Sequence, residues 1–328
     1  MAEGGGNRQH PHNLQGILRM AVEAGSASDA PAPSEPMSEE RKTWLREALA
    51  EVCKGQKDEV EQMKECLAVL RRDGTKGREG EEEEEEREDA LELLSELCEN
   101  LDNARDLMVL GGLDLCFSQC LSDPQGGVRW RAAQLIASCA QNMPEVQCHL
   151  LNQGALSRLL HLTDTDPQPT VRVKALYAVS CLVREQEAGL RAFLSLDGFS
   201  VLMRGMQSDI EKLRTKSAFL LVNLLTAHPE HRDTVLAMGM VQQLVSVLHS
   251  PHSPFHEHVL GALCCLVDDC TQGVKDCQSP ALGLKELLNQ KTNELKGKVE
   301  CQEELEFCER LLKACFQGQP PDDNGMDR

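Results

Sequence analysis

The apolar positions of this chain fall at a helical spacing, and the spacing itself recurs. In "VRWRAAQLIASCA", counting from Val128, positions 1, 5, 9 and 12 are Val128, Ala132, Ile136 and Cys139. In "VRVKALYAVSCLV" the same positions are Val171, Ala175, Val179 and Leu182. Intervals of three or four residues place such side chains on one face of an α-helix. Val171, Val173, Ala175 and Tyr177 also alternate as a strand would, but the alternation stops at Tyr177 and has no counterpart in the sister segments. These segments are predicted to be helices.

Aligned on Leu97, Cys139, Leu182, Leu224 and Leu266, the units step by 42, 43, 42 and 42 residues. A second register keeps time with the first: segments opening at Gly111, Gly154, Gly198 and Gly239 each follow a short apolar run. A period in the low forties with three helical segments per unit predicts an all-α fold, an armadillo-type right-handed α-solenoid with helical N- and C-terminal caps. The expected organisation starts with a disordered segment over 1–36, rich in Gly, Pro, Ser and Ala, with a short amphipathic motif at 13–24. Capping helices follow over 37–72, with Ser38 as an N-cap and Gly55 as a break, then an acidic flexible linker over 73–86. The solenoid is expected over 87–290, about four full repeats plus partial ends, followed by a capping helix over 291–318 and a disordered tail over 319–328.

Composition narrows what this solenoid does. Of 328 residues, 41% are hydrophobic but only 3% aromatic, which suits Leu/Ala-rich helical stacks. A net charge of −19 repels phosphates and argues against nucleic acid or a membrane surface as partner. No secretory leader or long apolar run precedes the fifteen cysteines, so they read as small buried hydrophobes in a reducing compartment. Cys301, Cys308 and Cys315 recur every seven residues, which separates neighbours by roughly 10 Å along a helix and prevents the three from sharing one metal. His249, His252, His256 and His258 resemble a metal tract, but no carboxylate or thiol stands nearby at ligand spacing. No metal and no cofactor is expected. G-x-S-x-G, H-E-x-x-H and P-loop patterns are absent, so no enzyme is expected either.

The third helix of an armadillo unit lines the concave surface, and its positions 4, 7 and 11 share a face. From unit to unit, position 4 reads Asp89, Arg131, Lys174, Lys216 and His258. Position 7 reads Glu92, Gln134, Tyr177, Phe219 and Gly261, and position 11 reads Glu96, Ser138, Cys181, Asn223 and Cys265. An acidic chain thus carries a basic column along its inner curve. Cations near helix N-termini are mildly unfavourable, by about 0.3–1 kcal/mol, so the column points to an acidic partner. Tyr177 and Phe219 are the expected anchors. The face excludes an importin-like grip on basic peptides, which uses Trp at position 7 and Asn at position 11 backed by acids; only Asn223 fits that pattern.

Longer strings carry a closer resemblance. "NLQGILRMAVEAGS", "EPMSEERKTWLREAL", "VRVKALYAVSCLVREQEAGLRAFLSLDGFSVLMRGMQ", "HSPFHEHVLGALC" and "EELEFCERLL" resemble the heat-shock-protein-70-binding protein 1 family over most of the chain from Asn13 onward. The resemblance implies an armadillo-repeat nucleotide exchange factor and co-chaperone that clasps the ATPase domain of the seventy-kilodalton heat-shock chaperones and promotes ADP release. The resemblance does not specify which side chains touch the chaperone; positions 4, 7 and 11 supply the candidate partner face, Arg131, Gln134, Ser138, Lys174, Tyr177, Cys181, Lys216, Phe219, Asn223 and His258. The resemblance also implies that the N-terminal motif of Leu14, Ile17, Leu18 and Val22 competes with clients for the chaperone's peptide groove. A cytosolic monomer is expected, in contrast to the secretory-pathway relative that carries a signal peptide. The alternative is an armadillo scaffold that binds peptides or folded partners with no effect on nucleotide exchange.

Overall fold

The computed structural model describes residues 58–72 and 80–317 together with Glu39 and Thr43. It forms two units, residues 1–62 and 63–328. In the first, the Thr43 hydroxyl donates to the Glu39 carbonyl at 2.8 Å, and the Asp58 carboxylate accepts the Val60 N–H at 3.1 Å, capping helix α1 (Glu59–Leu70). The expectations for 1–36, Ser38, Gly55 and the terminal tail lie outside the described residues.

In the second unit, the rest of α1 buries Met63, Cys66, Leu67 and Leu70. After α2 (Gly80–Leu97) the chain runs through five helix triplets. They are α3 (Leu101–Val109), α4 (Gly112–Ser118) and α5 (Gly126–Ala140); α6 (Pro144–Asn152), α7 (Ala155–Thr165) and α8 (Pro169–Val183). There follow α9 (Glu187–Ser195), α10 (Gly198–Met206) and α11 (Glu211–Ala227), then α12 (Arg232–Ala237), α13 (Met240–Leu248) and α14 (Phe255–Val267). The last is α15 (Thr271–Cys277), α16 (Leu284–Leu295) and α17 (Gln302–Phe316). No strand occurs among the described residues.

The stripe that predicts helices is the core. Val171, Ala175, Val179 and Leu182 are all fully buried, as are Val128, Ala132, Ile136 and Cys139. Each buried Val, Leu or Ile contributes about 1.5–3 kcal/mol, so the repeated stripe holds each third helix to its neighbours. The third helices α2, α5, α8, α11, α14 and α17 pack each on the one before, and each second helix packs on its own third helix.

The turn between first and second helices needs one residue in the left-handed region. Gly111, Gly154, Gly239 and Gly283 hold it, with φ of 74°, 79°, 75° and 58°. In the remaining unit Asp197 takes it at φ 56°, one residue before the glycine that sets the sequence register. Asp tolerates this conformation better than most residues. Gly198 answers to a different need, since a Cβ there would lie 2.3 Å from the Phe193 ring.

Two boundaries move. The acidic run assigned to a linker over 73–86 is helical from Gly80, and its glutamates belong to α2. The capping helix expected over 291–318 is instead the break after α16 followed by α17, the third helix of a fifth triplet. Its buried stripe of Glu304, Cys308, Leu311 and Cys315 matches Phe255, Val259, Ala262 and Leu266 of α14. The step from Phe255 to Glu304 is 49 residues, and these extra residues hide the unit from a 42-residue period.

Position 2 of the third helices forms a buried seam. The Arg129 guanidinium donates to both Asp166 oxygens at 2.8 and 3.0 Å and to the Asp123 and Pro124 carbonyls at 2.8 and 2.9 Å. One unit earlier, Arg87 pairs with Asp123 at 2.6 Å. Both aspartates also shape the turn into the next third helix, accepting the N–H of Gln125 and of Gln168, the residues just before it.

Candidate partner-binding face

The site residues stand on the third helices, about 200° around from the seam, because position 4 lies two residues beyond position 2. At each junction the position-4 side chain reaches back onto position 7 of the preceding third helix. Arg131 bonds Glu92 at 3.3 Å, and the Lys174 ammonium donates to the Gln134 side-chain oxygen at 2.7 Å. The Lys216 ammonium lies 5.6 Å from the Tyr177 ring centre, and His258 meets Phe219 edge to face at 6.1 Å. At the last junction Phe307 lies over Gly261, where a Cβ would sit 3.5 Å from the ring. The ladder therefore runs from an acidic end through cations stacked on aromatics to an apolar end. An exposed cation–π contact of this kind contributes about 0.5–1 kcal/mol, so these pairs orient side chains more than they stabilise the fold.

The expected basic column is narrower than the sequence implies. Arg131 is neutralised by Glu88 at 2.7 Å as well as by Glu92. His258 lies 3.9 Å from Glu257. Lys174 and Lys216 remain without a carboxylate partner among the described residues. Burial first, then the Lys216 and Lys212 ammonium groups, hold the Lys174 amine below its ordinary value. Like charges thus crowd at the centre of an acidic protein's ladder, an arrangement that an incoming carboxylate relieves.

Tyr177 is half-buried and donates to the Gln141 side chain at 3.2 Å, while Phe219 is 50% exposed. Both anchors therefore stand on the surface and not in the core. Tyr177, Gln134, Ser138, Gln141 and Glu99 line part of a groove of about 320 Å³. Gln134 donates to Ser138 at 3.3 Å, and Asn223 donates to the Phe219 carbonyl of its own helix at 2.8 Å, so Ser138 and Asn223 steady the face. Burial pushes the Cys181 thiol up to about 11, leaving it neutral.

Sequence reasoning missed Trp130, which lies between Arg131 at 4.2 Å and Lys174 at 5.7 Å from its ring centre. One of only two tryptophans, beside a position-4 cation, was the available signal. Phe307 was hidden by the irregular last step. The motif of Leu14, Ile17, Leu18 and Val22 lies outside the described residues. The histidine tract differs from its local reading: the fold brings a thiol and a carboxylate to His252 from α17 and the turn before it.

A stack of helix triplets with a continuous third-helix face defines an armadillo-type binding protein. Solved structures agree on the fold: a designed armadillo repeat protein matches with a TM-score of 0.60 and 18% identity, covering 79% of this chain and 100% of its own. Computationally designed armadillo repeat proteins for modular peptide recognition match with a TM-score of 0.61 and 17% identity, over 78% of this chain and 99% of theirs. Sequence comparison is more specific. Residues 103–237 match the SIL1/FES1/HPBP1 C-terminal domain, and residues 14–107 match nucleotide exchange factor Fes1. Hsp70-binding protein 1 of Homo sapiens is 57% identical over 97% of this chain and 89% of its own length, and that of Rattus norvegicus is 57% identical over 98% and 90%. Nucleotide exchange factor SIL1 of Xenopus laevis is 26% identical over 60% of this chain and 47% of its own. The chain belongs to the Hsp70-binding protein 1 family.

Proposed function

We propose that this protein is a nucleotide exchange factor for cytosolic Hsp70 chaperones and that its third-helix ladder engages their ATPase domain. Family membership supports the class of activity. The observation that carries the site is the pair of unneutralised cations, Lys174 and Lys216, set between Trp130, Tyr177 and Phe219 on one face. In this reading the cations steer an acidic surface of the ATPase domain into register, and the half-exposed aromatics supply most of the affinity.

No catalytic group is required. A face that binds the open-cleft ATPase conformation more tightly than the closed one shifts the population toward open and weakens ADP by the ratio of the two affinities. Linkage makes the effect reciprocal, so nucleotide weakens binding of the exchange factor by the same factor. The chain acts as a monomer, binds no nucleic acid and consumes no cofactor.

Stopped-flow release of fluorescent ADP from a purified cytosolic Hsp70 tests the class of activity. Release accelerates with added protein, and affinity measured with and without ADP changes by the factor that the release constants give. An unchanged release rate at saturation, with binding retained, contradicts exchange and leaves a scaffold that grips the chaperone.

A further inference from the structure

The last unit departs from its sisters in two ways, and both converge on one spot. Position 1 of α5, α8, α11 and α14 is Val128, Val171, Leu213 and Phe255, all buried and apolar, and in α2 it is the partly exposed Glu86, yet in α17 it is Glu304, which is 2% exposed. A carboxylate taken out of water without partners is costly, so a buried glutamate in an apolar register needs an explanation. The extra residues between α16 and α17 form a short 3-10 turn, Val299–Cys301, which delivers Cys301 beside that carboxylate. From the other side, the loop before α14 brings His252, whose Nε2 lies 2.8 Å from Glu304 Oε2.

We propose that His252, Cys301 and Glu304 form a divalent-cation site of the zinc(II) class. Their imidazole, thiol and carboxylate donor atoms all lie within 4.8 Å of one another, a span that modest side-chain rotation closes to the separation of ligands on one ion. The donor set is borderline-soft and mixed, which suits Zn(II) or Co(II) and excludes Mg(II) and Ca(II), which take oxygen ligands. The carboxylate is already held by a second partner, since Lys291 donates to Glu304 Oε1 at 3.2 Å and leaves Oε2 facing His252. Such outer hydrogen bonds orient a ligating carboxylate. Lys291 is itself buried and also donates to His256 Nδ1 at 2.8 Å, while His256 Nε2 pairs with Ser250 at 3.2 Å. His256 is thereby committed as support, and solvent takes the fourth coordination place. The His252 side chain is 44% exposed, which opens a path for the ion.

Binding balances simply. The Cys301 thiol releases one proton and becomes thiolate, and His252 offers its Nε2 lone pair with its proton on Nδ1. The ion's two positive charges are matched by thiolate and carboxylate, and Lys291 keeps its ammonium. The bound ion ties the loop before α14 to the start of α17 and stiffens the last two units.

The test titrates the full chain, kept reduced with a phosphine, with Co(II) and then Zn(II). The expected result is one tight ion per chain, with tetrahedral cobalt absorption and a thiolate-to-cobalt charge-transfer band. Cys301→Ser should abolish the charge-transfer band, and Cys301→Ser and His252→Gln should each lower zinc affinity by at least about 100-fold, more than loss of an outer-shell partner does. Cys148→Ser, at an exposed thiol elsewhere, should change neither. Both site variants alter partly exposed side chains, and circular dichroism checks that they fold. Absence of saturable binding, or a band that survives Cys301→Ser, overturns the proposal and leaves the cluster as a polar clamp.

Discussion

Two lines of side chains cross the solenoid along the same third helices, and water reaches one of them far more than the other. The position-2 seam is deepest at one pair: Arg129 is 9% exposed and Asp166 7% exposed, and they meet as a bidentate ion pair. The ladder of positions 4 and 7 is open, with Lys216 and Phe219 both exposed. The ladder joins each unit to the one before, and the seam does so through Arg87–Asp123 and Arg129–Asp166. At Arg129 the seam does so with a bidentate ion pair, although Arg87 and Arg214 each keep a buried Nε without a partner among the described residues, whereas the ladder leaves cations without a carboxylate at its centre. Burial thus makes the seam structural, and the proposed function gives the exposed ladder to recognition, although both are built from basic residues two positions apart on one helix.

The seam also differs along its length. Its front carries the Arg–Asp pairs Arg87–Asp123 and Arg129–Asp166. Its back carries Lys291, Glu304, His252 and His256, linked by hydrogen bonds.

The sharpest way to break the comparison is at the front seam. Asp166→Ala strands a buried guanidinium and should lower unfolding stability by about 3–5 kcal/mol, measured by urea titration. The same variant should leave ADP release by the folded fraction nearly unchanged.

Acid should act on the back seam, with a smaller effect. Burial first, then the Lys291 ammonium, lowers His256 from 6.5 to about 4, with His252 and Arg214 adding to the depression and Glu304 opposing it. Between these values the unfolded chain takes a proton that the folded chain refuses. The stability of neutral His256 is therefore complete above pH 6.5 and is lost as pH falls toward 4. Thermal melts across that window should decline in wild type and decline less in His256→Gln, whose amide oxygen can still accept from Lys291. Equal slopes would remove His256 from the account.

On the ladder, Phe219→Ala should weaken chaperone binding by about 1–2 kcal/mol in calorimetry while moving stability little, because half of the ring is already in water. The smallest effect is a gain. Ser217 Oγ is fully buried with no hydrogen-bond partner among the described residues, and Ser217→Ala should raise stability by roughly 1 kcal/mol.

Much of this was readable from the chain. The apolar stripe and its 42-residue step predict the helices and their stacking, because burial on a repeated interface requires a repeated pattern. The column at position 4 was visible for the same reason. What it touches was not, since Glu88 and Glu92 lie 43 and 39 residues before Arg131 and meet it only when the units stack. The turn at Asp197 was misplaced by one residue because the conformation, not the glycine, is what recurs. The fifth triplet escaped because its third helix starts late and its buried stripe opens on a glutamate. The Arg129–Asp166 clamp was within reach: Asp123, Asp166, Ser208 and Ser250 keep the repeat's own step.

The division of labour between seam and ladder is tested most directly by the Lys174→Glu/Lys216→Glu variant. ADP release from a cytosolic Hsp70 would be followed by stopped flow, with the unfolding midpoint measured on the same sample. The account predicts at least a ~10-fold loss of acceleration with stability unchanged to within roughly 0.5 kcal/mol. Wild-type acceleration from this folded variant would contradict it and place the chaperone on another face.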